Sequence, residues 1–534
     1  MNRIELDIVR TAFTFIPEEM GVALRRTAYS PNIKERMDAS CALFDGEGRM
    51  IAQAEHIPVH LGSMPVAVDV LRTEYPGTLR EGDQVILNDP YHGGTHLPDI
   101  TLIRPVHFCG GLLGYTVNRA HHADVGGIAP GSMPADAVRL EEEGVVLEPQ
   151  KFVDRGRERR AVLDRVRKEM RNPVERLGDL RAQVAANELG ARRFRELAER
   201  HGITHLRSYG EELLDYSERR VRAAIADLPR GSWKAEDVLE GANPDDPEYI
   251  RVGVEVAIGG SGVTVDFAGS SRQSRGNLNA PPAVTDSSVY YAIRCLTDPV
   301  VPPNAGAYRP IRILAPEGSV VRPRPPAAVA AGNVETSQRI VDAIFLALAE
   351  PLADVVPAQS QGTMNNLTIG KSGRRGFSYY ETIAGGEGAL PYRDGMDGVH
   401  THMTNTRNTP IEALELAYPL RVEAYRLRPG SGGDGANRGG DGVRRSVRVL
   451  VPAFASILSD RRRIGPRGLS GGGPGEPGRN FLIRGGRRRP IPGKTSVALR
   501  AGDVIIIDTP GGGGWGPPAP DRRTLRARAD LTRD

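Results

Sequence analysis

Thr95-His-Leu-Pro-Asp99 and Asn118-Arg-Ala-His-His-Ala-Asp124 bracket two strand-like runs, Ile100–Phe108 and Leu112–Asn118, which are joined by Cys109-Gly110-Gly111. A short Gly-containing link between two apolar runs signals a β-hairpin. Upstream, Asp83–Leu87 reads as a third strand, ending in the turn Asn88-Asp-Pro-Tyr-His-Gly-Gly94. In such a meander His96 and Asp99 precede one strand and His121 follows its antiparallel partner, so all three fall at one edge of the sheet. Imidazole and carboxylate without thiolate suit a divalent Mn, Fe or Zn ion rather than a structural zinc. Three or four such ligands leave coordination positions open for chemistry. Spacing alone leaves a second reading standing, in which these histidines only hydrogen-bond loop backbone.

Longer segments separate the two readings. They are R-T-A-Y-S-P-N-I-K-E-R-M-D-A-S from Arg26, G-D-Q-V-I-L-N-D-P-Y-H-G-G-T-H-L-P-D from Gly82, H-H-A-D-V-G-G from His121, G-D-L-R-A-Q-V-A-A-N from Gly178, H-T-H-M-T-N-T-R-N-T-P-I-E from His400 and T-P-G-G-G-G-W-G from Thr509. Together they resemble the hydantoinase B/oxoprolinase family across almost the whole chain. The resemblance implies one subunit of an ATP-dependent heteromeric enzyme that opens a cyclic amide, such as an N-methylhydantoinase or 5-oxoprolinase, with acetone and acetophenone carboxylases as relatives. It also implies that this subunit carries the metal while a hydantoinase A-type partner handles ATP. Matched motif by motif, the ligands it implies are His96, Asp99 and His121, with Asp38 of R-M-D-A-S as a fourth.

Composition suits a soluble enzyme subunit. A chain of 534 residues has room for two to four domains and a large core. Lys and Arg exceed Asp and Glu by only four (70 minus 66), too few to indicate a nucleic-acid partner. The basic runs Arg461-Arg462-Arg463 and Arg487-Arg488-Arg489 read as solvated loops. Cys41, Cys109 and Cys295 stand alone in sequence, which argues against a disulfide framework or a zinc knuckle. The acidic start M-N-R-I-E-L-D lacks the apolar stretch of a secretory peptide, and no run reaches membrane-spanning length, so a cytoplasmic protein is expected.

The organisation predicted is α+β and multidomain. An N-terminal α/β region with the metal site covers residues 1–155, a helical region 156–235, a central α/β region 236–425, a β-rich C-terminal region 426–517 and a frayed tail 518–534. Ile4–Thr27 is read as a helix kinked at Pro17. Cys41–Ala52 is read as a hairpin turning at Asp45-Gly46, which sets Asp38 just ahead of a strand facing His96. Glu158–Leu228 has a charged helical pattern broken near Asn172-Pro173 and at Gly202. On it Asp179, Gln183 and Asn187 form an i, i+4, i+8 stripe of short polar side chains, read as one wall of a polar cleft against the alternative of a hydrogen-bonded seam. A hairpin is expected around Gly259-Gly260, and a core helix over Val334–Leu352 capped by Asn333. Beyond Leu420 short strands alternate with Gly-rich loops, the pattern of a sandwich.

Gly430-Ser-Gly-Gly-Asp-Gly435 has the letters of a dinucleotide fingerprint but precedes a strand, Val443–Val451, so its phosphate-binding context is missing. No P-loop occurs, which matches ATP being held by the partner. His400 and His402, in a Thr/Asn-rich run, would point the same way on a strand and are read with the polar stripe as substrate-lining. His122 and Asp124, beside the implied ligands, are candidates either for the general base or for orienting a ligand. Two other functions fit the same chain: a biotin-independent ketone carboxylase component, distinguished by bicarbonate dependence, and a non-catalytic scaffold.

Overall fold

The architecture follows from the hairpin. In the computed structural model, which describes residues 3–54, 57–241, 249–373 and 376–518, Cys109 and Gly110 both take positive φ (49° and 80°). That is the two-residue turn whose twist matches antiparallel strands. Seven strands build one antiparallel sheet: β1 (Ala39–Asp45), β2 (Met50–Ala54), β3 (Gln84–Leu87), β4 (Asp99–Phe108), β5 (Gly111–His121), β6 (Gln150–Asp154) and β7 (Arg157–Glu158), in the order 2-1-5-4-3-6-7. Asp99 pairs directly with His121, and Ala39 with Ala120. Asp38, Asp99 and His121 therefore meet at one sheet edge. The predicted strands are each present, with β5 three residues longer at its end, so that His121 belongs to the strand itself.

Both faces of the sheet are covered. The N-terminal helix Arg3–Thr27 lays Val9, Phe13, Ile16, Met20 and Leu24 on one face with Ala186 and Phe194 of the helix Pro173–His201. The helix is continuous through Pro17. Helix Ser63–Glu74 buries Met64, Ala67, Val68 and Leu71 against Phe44, Val85 and Val117 on the other face. A one-residue slip would send each apolar set into the core packed for the other, so the edge that carries the acids and imidazoles is held in place.

The polar stripe on Pro173–His201 requires a correction. Gln183, Asn187 and Asp179 are fully buried and bond the helix to its surroundings instead of lining a cleft. Gln183 donates to Ile100 O at 2.9 Å and to Asn118 Oδ1 at 2.9 Å. Asn187 donates to Leu102 O at 3.0 Å and accepts from Asn118 Nδ2 at 2.9 Å. Asp179 accepts from the backbone N–H groups of Tyr29 and Ser30 at 2.7 and 3.0 Å. A helix laid over β4 and β5 meets ladder positions whose groups need partners, and short amides reach them where Glu or Lys would overshoot.

The second sheet joins Gly231–Glu240, Tyr249–Gly259, Gly262–Asp266 and Ile311–Leu314, with helices Pro282–Leu296 and Ser337–Leu348 packed in the same core. Asn333 is not the cap of the latter helix. It lies inside a π-helical turn, Gly332–Thr336, that leads into it. The last two sheets share one core, in which Leu367, Tyr379 and Ile457 meet Val447, Leu482 and Ile505. This sandwich takes Asn366–Lys371 and Phe377–Glu381 from well before residue 426. The expected frayed tail lies outside the described residues apart from Pro518.

Two sequence features take roles other than those expected. Arg461 and Arg462 are not solvated: Arg461 donates to Asp237 Oδ2 at 2.7 Å and Asp342 Oδ2 at 3.0 Å within a buried network that also includes Arg339, Asp460 and Lys494. Arg463 at the end of the first run and Arg487–Arg489 are exposed as expected, the latter on an edge strand of the sandwich. The Gly430–Gly435 segment packs backbone on backbone against Gly511–Gly514, with Gly433 N donating to Gly512 O at 2.8 Å.

Glu143 ties the first region to the chain that precedes the π-helical turn, accepting from Val329 N and Ala330 N at 3.0 and 2.8 Å. Burial outweighs those donors and pushes its carboxyl from 4.5 up to about 8. Between these values the folded state holds a proton that the unfolded state releases. Its contribution to stability is therefore complete below the unfolded value and is lost as pH rises through the folded one. Glu143→Gln is expected to reduce the fall in thermal midpoint between about pH 5 and 9, a fall worth up to about 1.4 kcal/mol per pH unit. An unchanged slope in a pH series of melts would show that the drop originates elsewhere.

Candidate metal centre

Asp99 is the hub of the sheet-edge cluster. Its Oδ2 accepts from Thr95 Oγ1 at 2.5 Å and lies 3.3 Å from His96 Nε2 and 3.4 Å from His60 Nε2. Burial pushes the Asp99 carboxyl up, but the fields of His96 and His60 outweigh this and hold it well below its ordinary value. Asp38, Asp99 and His60 each offer a ligand atom within 4.8 Å of one another. Burial raises Asp38 to about 6 even with Arg36 3.9 Å away.

The other two imidazoles flank this triad. The rings of His96 and His121 lie edge to face, 5.0 Å between centroids. His121 stacks on Tyr380, 4.5 Å away and 4° from parallel, and its Nδ1 is 3.0 Å from Asn32 Nδ2. Asn32 is fixed in turn by Arg36, which donates to Asn32 Oδ1 at 2.9 Å and to Tyr380 O at 3.1 Å. Burial, reinforced by His96, holds His121 well below its ordinary value, so the ring is neutral and fit for ligation.

Five atoms show what the cluster lacks. Asp99 Oδ1, both nitrogens of His96, His60 Nε2 and His121 Nε2 are buried and have no hydrogen-bond partner. Leaving buried donors and acceptors unpaired costs about 1–3 kcal/mol each. A divalent cation needs these same atoms, and the donor set of imidazoles and carboxylates suits Mn, Fe or Zn. The residues present therefore fit a metal.

Of the residues singled out in sequence, Asp38, His96, Asp99 and His121 come together. His122 lies next to them in sequence but faces the seam: its Nε2 is 2.9 Å from Gln183 Oε1, its Nδ1 has no partner, and burial lowers it to about 4. Asp124 is fully engaged, accepting from Gly126 N, Gly131 N, Ser378 Oγ and Arg171 Nη1 at 2.9, 2.8, 2.7 and 3.0 Å. His400 and His402 do not share a strand. They lie in an irregular segment where His402 has φ 56° and approaches Asp342 Oδ1 at 3.8 Å.

His60 was not anticipated. It sits in a single 3₁₀ turn, Pro58–His60, held by Ser40 Oγ at 3.0 Å from its Nδ1. Nothing local in I-P-V-H-L-G distinguishes it from a core histidine. Asn32 and Tyr380 were equally invisible, since they reach the site from 89 residues before His121 in one case and from the sandwich in the other.

Comparison with known proteins identifies the family. The hydantoinase B/oxoprolinase family model matches residues 2–518. This chain belongs to that family. Among the family's proteins, an uncharacterized protein of Methanocaldococcus jannaschii is 43% identical over 97% of this hydantoinase B-family chain and 91% of its own length. The 5-oxoprolinase 1 of Arabidopsis thaliana is 40% identical over 96% of the chain, which spans only 42% of that larger protein. A candidate B component of a D-/L-hydantoinase from a Pseudomonas species is 35% identical, with 97% and 90% covered. Among solved structures, the ATP-dependent caprolactamase of Pseudomonas jessenii superposes with a TM-score of 0.91 at 28% identity, over 99% of this chain and 94% of that one. Nucleotide-free acetone carboxylase shares the fold, with a TM-score of 0.90 at 19% identity over 98% and 78% of the two chains. Among the described residues no helix is long and apolar enough to cross a membrane.

Proposed function

We propose that this chain is the metal-holding catalytic component of a heteromeric, ATP-dependent cyclic amide hydrolase. The observation that carries the reading is the buried set of unpartnered ligand atoms on His60, His96, Asp99 and His121 beside Asp38. Family membership supports the reaction class, because relatives are named as 5-oxoprolinases and as the B component of a hydantoinase, and a neighbouring structure is an ATP-dependent caprolactamase. Coverage favours ring opening over ketone carboxylation: the chain spans 94% of the caprolactamase chain and 78% of the acetone carboxylase chain. A hydantoinase A-type partner would handle ATP, a division of labour that the B-component name of the Pseudomonas relative supports.

An unstrained amide resists water, and phosphorylation of its oxygen on the partner turns that oxygen into a leaving group. A divalent ion held by Asp38, His60, His96, Asp99 and His121 would supply Lewis acidity and a counter-charge for the developing negative oxygen. The protein's own contribution is to keep the imidazoles neutral, to hold Asp99 ionised between them, and to orient His121 through Asn32 and Tyr380. His122, neutral and with Nδ1 unpartnered, is able to accept a proton there. Asp124, with both oxygens bonded, orients the loop that follows β5.

The test combines metal analysis of the purified chain with turnover of hydantoin and ε-caprolactam by the chain plus its ATPase partner. About one Mn, Fe or Zn per chain and ring opening that requires ATP but not bicarbonate are expected. Product formation only with bicarbonate would transfer the chain to the carboxylases. A metal-free chain that still supports turnover in chelator would reduce it to a scaffold.

A further inference from the structure

Beside the metal centre lies a second group of buried, unpartnered polar atoms that the centre does not use. Residues 399–409 run from the Val399–Gly385 bridge to Arg36, where Arg36 Nη2 donates to Thr406 Oγ1 at 3.4 Å and Arg407 N donates to Arg36 O at 3.1 Å. Arg36 in turn lies over the Tyr380 ring, 4.6 Å from its centroid, and Tyr380 stacks on His121. Along this segment both ring nitrogens of His400, Thr401 Oγ1 and Thr404 Oγ1 have no partner. From the facing helix, Gln338 donates Nε2 to Thr401 O at 3.2 Å and leaves its buried Oε1 unpartnered.

We propose that this ledge, made by Gln338 and residues 400–404, binds the amide edge of the substrate ring and presents it to the metal centre. The proposal rests on the cyclic amide reading above. A lactam or hydantoin carries an N–H donor beside a C=O acceptor. Gln338 Oε1 is an acceptor, the hydroxyls of Thr401 and Thr404 donate, and His400 serves either way. The charge matches as well. Arg36 directs its N–H groups to Asn32, Tyr380, Thr382, Thr406 and Arg407, so its donors are engaged by the protein itself. Burial and the Arg36 charge lower His400 to about 4, which leaves it neutral. The neutral His400 ring, Gln338 Oε1 and the two threonine hydroxyls together offer the mixed donors and acceptors that an amide edge needs.

Two irregularities in the backbone bound the ledge. His402 takes φ 56°, uncommon for a residue with a side chain, and the helix that carries Gln338 is entered through the π-helical turn Gly332–Thr336. Both kinds of distortion concentrate at sites where side chains are aimed for function.

The experiment uses the full chain with its ATPase partner and compares wild type with Gln338→Met and Thr404→Val. Metal content, thermal midpoint, KM and kcat are read for hydantoin and for ε-caprolactam. Each variant is expected to retain its metal and raise KM about tenfold or more, the loss of one well-made hydrogen bond to the ring, with kcat changed far less. KM within about twofold of wild type for both rings, in metal-replete variants, would mean that the ledge holds only water. If wild type binds metal but opens neither ring, the cyclic amide reading fails, and calorimetry with hydantoin decides the ledge separately. Heat of binding in wild type that disappears in both variants supports it, and no binding to wild type overturns it.

Discussion

A chain carrying both His96→Ala and His121→Ala is expected to lose its metal and at least about a thousandfold in turnover, equivalent to about 4 kcal/mol of transition-state stabilisation. Two of the cluster's three imidazoles would go, leaving Asp38, Asp99 and His60. The deficit is electrostatic as much as geometric. With His96 gone, the first of the fields that hold Asp99 down is missing, while its burial remains. The carboxyl then tends towards its protonated form, which binds metal poorly. The fold is expected to survive, because these rings make few bonds to the rest of the protein: His96 nitrogens have no hydrogen-bond partner and His121 contributes mainly its stack on Tyr380. Elemental analysis and a melting curve on the same sample separate the outcomes. A folded double variant that keeps stoichiometric metal would show that the ion, if any, sits elsewhere.

Gly512→Ala and Gly513→Ala are expected to destabilise the protein by about 3 kcal/mol or more, or to prevent soluble expression. A Cβ on Gly512 would run into Glu387 O, and one on Gly513 into Arg467 O. Both obstacles are main chain and cannot rotate away. The segment is also bonded on several sides, with Gly512 N donating to Gly440 O at 2.9 Å, Gly513 N to Gln359 O at 2.8 Å, and Ala389 N to Gly513 O at 2.9 Å. Moving it would break bonds to three other segments at once, each leaving a buried backbone group unpaired. Gly259→Ala is the control, since its Cβ would meet nothing within 4 Å and its φ is not in the left-handed region. Equal soluble yields and melting points for all three variants would sink the packing argument.

These two predictions also mark where sequence was informative. The hairpin turn, the periodicity of 2 in its strands and the motifs at either end are local properties, and local rules sufficed to bring Asp99 opposite His121 and Asp38 beside them. The helices of residues 160–226 and their breaks at Asn172 and Gly202, both with positive φ, are local in the same sense. The polar stripe of Asp179, Gln183 and Asn187 was legible as a stripe, but its partner was not. Whether such amides face water or a sheet depends on what covers them, and here β4 and β5 do.

By itself, then, the sequence determined the strands, the turn chemistry, the four ligand candidates and, through its motifs, the family. Only the tertiary structure brought in His60, far from Asp99 in the chain, and Tyr380 and Asn32 to brace His121. It also turned Arg461 inward and made Gly432, Gly433, Gly435 and Gly511–Gly514 into packing surfaces. The physical reason is one of range. Periodicity and turn preferences act over a few bonds, whereas burial, the pairing of buried charges and the close approach of two backbones are set by segments far apart in the chain.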